Sequence, residues 1–220
     1  MDAVNAVDLY RFFHTGDAET LALRGVSLQV QPTEMVALLG TSGSGKSTLL
    51  ACMSGLDEPD GGHVELFGRR LTRQPEAVRA HLRAQSIGIL LQNGNLFPAL
   101  NVRDNIHLAM RIAGRLDATR RDRLLEQLGL TDHAYALPSQ LSGGELARAG
   151  LAVALANAPR VVMADEPTGE VDAQTEAQII AVLDEQRAAG AAVLIATHSA
   201  ALAAHATRVV KMRDGRIVHE

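Results

Sequence analysis

The sequence predicts an α/β fold organised on a mainly parallel sheet, and three observations predict it. Short apolar runs alternate with stretches of helical spacing over much of the chain. One run, Met35-Val36-Ala37-Leu38-Leu39, passes through Gly40-Thr41-Ser42-Gly43-Ser44-Gly45-Lys46-Ser47-Thr48 straight into helical spacing at Leu49 to Met53. Another run, Val161 to Ala164, ends on the paired acids Asp165 and Glu166. Strands separated by helices pair in parallel and are expected to be helix-covered on both faces.

Taken in order, Val7 to Phe13 reads as a strand and Thr15-Gly16-Asp17 as a turn. Val26 to Val30 alternates as a strand that Pro32 ends, and the strand, loop and helix of the glycine-rich stretch follow. Asp57 to Gly62 is rich in turn formers, and His63 to Phe67 is a short strand closed by Gly68. A helix is expected after Pro75, then a strand from Ile87 to Leu91 ending at Gln92. From Asn101 to about Ala158 the apolar residues recur at helical spacing, as at Val102, Ile106 and Met110. This segment reads as a helical subdomain inserted between two core strands. The expected division is residues 1–92 and 159–220 for the core and 93–158 for the helical part. Beyond it come the strand at Val161, a helix over Ala173 to Ala189, a strand over Ala192 to Ala196 and a short helix over Ser199 to His205. Two closing strands flank Asp214-Gly215, a strong hairpin signal.

The 220 residues, 47% of them apolar, suffice for one domain with an ample core. Net charge is −4 and no dense Lys/Arg run occurs, so no nucleic-acid partner is expected. The single cysteine, Cys52, cannot form an internal disulfide, which suits a reducing, cytoplasmic setting. The opening residues, Met1 to Asp8, are acidic and carry no signal-peptide pattern. The most apolar later run, Ala188 to Ala206, is interrupted by Thr197-His198-Ser199 and is too short and polar to span a bilayer. The chain is therefore expected to be soluble by itself, with any membrane role supplied through partner subunits.

The glycine-rich stretch fits the pattern G-x-x-x-x-G-K-[ST] in its required setting of strand, loop and helix. A polyphosphate needs donors on every side. Glycines let successive backbone N–H groups point inward, and the following helix directs its positive end at the same place. Lys46, one of only two lysines, would reach the outer phosphates. The Ser47 hydroxyl would ligate Mg²⁺, an ion usually held by few protein groups plus phosphate oxygens. Asp165 arrives at the same sheet edge and can hold the ion's hydration shell, while Glu166 can orient or deprotonate an attacking water. Gln92 and His198 each follow an apolar strand and emerge on that edge too. Each is either an ordinary strand-end polar residue or a contact to metal, water or phosphate. Leu141-Ser142-Gly143-Gly144-Glu145 reads as a capped helix start with open N–H groups, a second possible anion site. One chain does not need two such sites for one nucleotide, which points to sharing with a second copy.

In this order, Gly40–Thr48, Gln92, Leu141–Glu145, Asp165-Glu166 and His198 make the chain resemble, over essentially its whole length, the nucleotide-binding subunit of an ABC transporter. The resemblance implies a P-loop, RecA-like core with an antiparallel β-subdomain and an inserted helical subdomain. It implies ATP and Mg²⁺ as ligands, and hydrolysis by a head-to-tail dimer. Ser142, Gly143 and Gly144 of one copy would close over the phosphate bound at Lys46 of the other. Phe13 would stack on adenine, Glu166 would be the catalytic carboxylate, His198 the switch histidine, Gln92 a metal or water contact, and Asp172 part of an inter-subunit loop. Integral membrane permease subunits are the implied partners, docking near Gln92 to Asp104, where Leu96, Phe97 and Leu100 form an apolar cluster. Pro167-Thr168-Gly169 together with Leu141–Glu145 is similar to the macrolide-efflux and lipoprotein-release branch, whose relatives include a cell-division ATPase. Val171, Ala147 and Val153 depart from the usual leucine, glutamine and arginine. A non-transporting ATPase of the same class is the alternative, and a kinase or GTPase is weakened by Leu141–Glu145.

Overall fold

A computed structural model describes residues 1–15, 18–92, 95–169 and 171–219, with the side chains of residues 14, 15, 18, 19 and 219 left aside. The expected turn at Gly16-Asp17 thus lies outside the described residues. The strands are β1 (Val4–Thr15), β2 (Ala18–Val30), β3 (Met35–Leu39), β4 (Gly61–Leu66), β5 (Arg69–Arg70) and β6 (Ile87–Leu90). They continue as β7 (Val161–Asp165), β8 (Ala192–Thr197), β9 (Arg208–Arg213) and β10 (Arg216–His219). The helices are α1 (Lys46–Ser54), α2 (Glu76–Ser86), α3 (Val102–Ile112), α4 (Ala118–Gln127), α5 (Gly143–Leu155), α6 (Ala173–Ala188) and α7 (Ala200–Ala204).

Among the described residues the strands form two sheets. The larger has the order β10-β9-β3-β8-β7-β6 and is parallel except for β10. The smaller, β2-β1-β4-β5, is antiparallel. Helices cover both faces of the parallel sheet, as expected, and on one face the small sheet joins α1. Val36, Leu38, Val161, Met163 and Leu194 point into a core shared with Leu49 and Met53 of α1 and with Val4, Leu9, Leu23 and Leu28 of the small sheet. The opposite face, through Met35, Val162, Val193 and Ile195, packs on α5, α6 and α7, with α3 and α4 beyond. Period-2 alternation along one strand separates the two cores, although every residue of β8 is buried. Sequence periodicity detects that a strand is buried on both sides, but not that a second sheet joins the helix on one of them.

Two further differences have local causes. β2 begins well before Val26, because Gly25 adopts φ 74 and lets the strand continue through an irregularity. A Cβ there would lie 2.8 Å from the Tyr10 hydroxyl. The loop before α3 is built on Asn105, only 2% exposed. Its side chain accepts from the Phe97 N–H at 2.7 Å and donates to the carbonyls of Leu100 at 2.9 Å and Asn101 at 3.0 Å. A buried amide with its groups satisfied fixes the loop together with Leu96, which packs against the core.

The candidate nucleotide site

β3 ends at Leu39 and the chain turns through Gly40 to Gly45 into α1. The turn requires its glycines for different reasons. Gly45 has φ 101, and a Cβ on it would lie 2.6 Å from the Ala22 carbonyl oxygen. A Cβ on Gly40 would lie 2.5 Å from both the Met212 carbonyl oxygen and Ser44 Oγ. The β9–β10 hairpin braces the loop: Asp214 and Gly215 have φ 49 and 73, and the Gly215 N–H donates to the Ser44 carbonyl at 3.1 Å. Lys46 is buried, and its Nζ donates to the carbonyls of Gly40 at 2.8 Å and Thr41 at 3.3 Å. The loop is therefore closed over its own lysine, with both carbonyl contacts exchangeable for phosphate oxygens.

A cleft of about 930 Å³ opens over this loop, lined among others by Phe13, Gly40 through Thr48, Gln92, Glu166 and His198. Its size suits a nucleotide. Asp165 lies beside the cleft, lining a small adjoining pocket together with Ser47, which also lines the cleft. Burial pushes the Asp165 carboxyl above the usual aspartate range, the Ser47 hydroxyl bonded to it and the nearby Lys46 pull it down, and Glu166 pushes it up. Its Oδ1 is buried and, among the described residues, has no hydrogen-bond partner. A half-buried carboxylate with an orphaned oxygen beside a hydroxyl is an oxygen donor set of the kind a small hard cation takes. The residues present thus fit Mg²⁺.

Glu166 sits at φ 48, a strained conformation that turns its side chain away from the strand direction. Its N–H donates to the Ala196 carbonyl at 2.8 Å, fixing it against β8. His198 Nδ1 lies 2.9 Å from Glu166 Oε2, and the His198 N–H donates to the same oxygen at 3.3 Å. The structure brings together the two residues that the sequence assigns to water and to phosphate separately.

Gln92 is exposed and lines both the cleft and a neighbouring groove of about 280 Å³. That groove is walled by Leu96, Pro138, Gly143, Leu146 and Val171, with Glu166 at its junction with the cleft. Phe97, expected in the apolar cluster, is exposed, while Leu96 and Leu100 are half-buried. Ser142, Gly143 and Gly144 are not among the described residues that line the cleft. They begin α5, where the Ser142 hydroxyl accepts from the Glu145 N–H at 3.3 Å and the Glu145 carboxylate accepts from the Ser142 N–H at 2.8 Å. Thr175 packs beneath them: a Cβ on Gly144 would lie 2.9 Å from its Oγ1. The Asp172 carboxylate accepts from the Thr175 N–H at 2.9 Å, capping α6.

Sequence reasoning missed two groups here. Glu176 Oε1 accepts from the hydroxyls of Ser199 at 2.9 Å and Thr168 at 3.3 Å, tying the loop after β7 to the loop that carries His198. Arg11 lies with its guanidinium carbon 4.7 Å from the centroid of the Phe13 ring and pairs with Asp57 and Asp60. The i,i+2 spacing of Arg11 and Phe13 on a strand was the available signal. Glu176 had none, since it meets partners far off in the chain.

Fold and cleft together define a P-loop nucleotide-binding protein. Residues 23–169 match the family model for ABC transporters. A lipoprotein-releasing system ATP-binding protein LolD from Hyphomonas neptunium is 41% identical over 212 residues, covering 94% of this chain and 93% of that protein. A macrolide export ATP-binding/permease protein MacB from Rhodopseudomonas palustris is 40% identical over 213 residues, 96% of this chain but 32% of that protein. The chain thus spans about a third of the macrolide-export relatives it matches. The dimeric structure of the bacterial ABC transporter cassette MJ0796 superposes with a TM-score of 0.92 at 30% identity, over 98% of this chain and 97% of that one. The same cassette in a dimeric post-hydrolysis state with ADP and Pi gives 0.93 at 29% identity, with the same coverage. The chain belongs to the ABC transporter family, as a homologue of its ATP-binding subunits. Among the described residues no helix is long and apolar enough to cross a membrane.

Proposed function

We propose that this chain is the ATP-hydrolysing motor of an export or lipoprotein-release transporter, working as a pair of copies that trap ATP between them. The observation that carries the reading is a division of labour. The cleft holds Lys46, Ser47 and Glu166, with Asp165 beside Ser47, while the helix start at Ser142, Gly143 and Gly144 belongs to another surface of the same chain. A second copy supplies the missing half. The relatives named for macrolide export and lipoprotein release, and the dimeric cassette, support this over a non-transporting role.

In the working cycle Lys46 releases the carbonyls of Gly40 and Thr41 and takes the outer phosphate oxygens. Ser47, Asp165 and Gln92 would hold Mg²⁺, which neutralises phosphate charge when bound. Glu166 orients the attacking water and accepts its proton. His198, engaged to Glu166 through Nδ1, has Nε2 left for a γ-phosphate oxygen. Phe13 stacks on the adenine. Residues 93–158 form a helical unit between the two parts of the nucleotide-binding core, 1–92 and 159–220. The groove between Leu96 and Val171, reaching Gln92, receives a permease subunit, which places the chain peripherally on the cytoplasmic side of the membrane.

Phosphate release from Mg²⁺-ATP by the purified chain, compared with Mg²⁺-GTP, tests the reading. Release that saturates with ATP and grows with the square of protein concentration supports it. A rate linear in protein concentration contradicts the shared site.

A further inference from the structure

The nucleotide site has two ends, and both are fixed to α1. Lys46 begins that helix at the phosphate loop. Just beyond its other end, the Asp57 N–H donates to the Ala51 carbonyl at 3.1 Å, and Asp57 in turn grips Arg11 of β1. Arg11 Nε lies 2.7 Å from Asp57 Oδ2, Nη2 lies 3.0 Å from Asp57 Oδ1, and Nη1 lies 3.1 Å from Asp60 Oδ2. Asp60 also accepts from the Phe12 N–H at 2.8 Å and donates its own N–H to the Tyr10 carbonyl at 2.9 Å. The guanidinium plane is held at all three nitrogens and cannot turn. It is only 21% exposed, so the contacts are not those of a loose surface pair.

The Phe13 ring lies against this fixed plane at 4.7 Å, remains 40% exposed and lines the nucleotide cleft. One ring face is taken and the other is open. We propose that Arg11 is a positioning residue for the nucleobase: by filling the back of the Phe13 ring it holds the open face toward the cleft, at a distance from Lys46 set by α1. The proposal rests on the reading of Phe13 as the base platform. A ring held in place before binding loses less freedom when the base arrives, so affinity gains without a direct contact from Arg11.

The test compares ADP with inorganic pyrophosphate, two ligands the chain cannot turn over, in calorimetric titrations of the full chain with Mg²⁺. Arg11→Ala weakens ADP roughly three- to tenfold and leaves pyrophosphate within about twofold. In a Phe13→Ala background, Arg11→Ala causes no further loss of ADP affinity. Arg11→Lys keeps a charge between Asp57 and Asp60 but not the flat plane, and shows the same selective loss should the alanine variant not fold. Equal losses for both ligands, unchanged ADP affinity, or a full further loss in the Phe13→Ala background each overturn the proposal. An unchanged ADP affinity for Phe13→Ala alone strikes the base-platform reading instead.

Discussion

His198 Nδ1 lies 2.9 Å from Glu166 Oε2, and the His198 backbone N–H reaches the same oxygen at 3.3 Å. One carboxylate oxygen is therefore aimed by its neighbour, leaving Oε1 for a water. His198→Ala removes the side-chain hold but keeps the backbone one. Turnover is expected to fall roughly 100-fold, with a smaller rise in the KM for ATP from the lost γ-phosphate contact, because aim is lost more than binding. Steady-state phosphate release measures it, and wild-type turnover would remove the histidine from the machinery.

Lys46→Ala deletes the cation at the loop's centre while leaving its glycines in place. The carbonyls of Gly40 and Thr41 lose their donor, but both can turn to water. ATP affinity is expected to drop by roughly 100-fold, the cost of removing one partner of a buried charge contact. Circular dichroism should show an intact fold, and retained affinity would mean that the triphosphate is held elsewhere.

Asp165 links stability to pH. Burial raises its pKa, so the folded chain binds this proton more tightly than the unfolded chain. The metal-free protein should therefore gain stability as pH falls from neutral through the raised folded-state value. Asp165→Asn is expected to melt a few degrees higher than wild type without metal at neutral pH, the gap closing on acidification. Added Mg²⁺ and ADP should stabilise the wild type more than they stabilise the variant. Thermal scans across pH, with and without metal, check both signs.

The glycines of the loop should rank by what surrounds them. Gly40→Ala meets two oxygen atoms at 2.5 Å, and Gly45→Ala combines φ 101 with an oxygen at 2.6 Å. Each should cost about 1–3 kcal/mol of stability or displace the hairpin. Gly43→Ala has φ 77 but nothing within 4 Å, so it should cost about 1 kcal/mol. Denaturant unfolding of the three variants gives the order.

Much of this molecule was legible before any coordinates. The loop from Gly40 to Thr48, the acids at the end of β7, and the cap of α5 are local chemistry, fixed by residues within a turn of one another. The Asp214-Gly215 hairpin belongs to the same class. What stayed hidden was set by distant parts of the chain. The packing of the small sheet beside α1 leaves no periodic mark on β3 or β8, and only the family resemblance announced that sheet. Glu176 meets Thr168 and Ser199 only once β7 and β8 lie side by side. Asn105 reads as one more polar residue in a helix until the loop folds over it. The early start of β2 depends on Gly25, which sequence alone would place at a strand's end rather than inside it.

The shared nucleotide site is tested most directly by weighing the chain in solution. Glu166→Gln keeps the phosphate loop and Asp165 but removes the base, so ATP bound between two copies should not be consumed. Light scattering on a sizing column with Mg²⁺-ATP should then give twice the 23.4 kDa of one chain, falling back to one when ADP replaces ATP. A variant that stays at the single-chain mass in saturating ATP, or that hydrolyses ATP at the wild-type rate, would contradict the account.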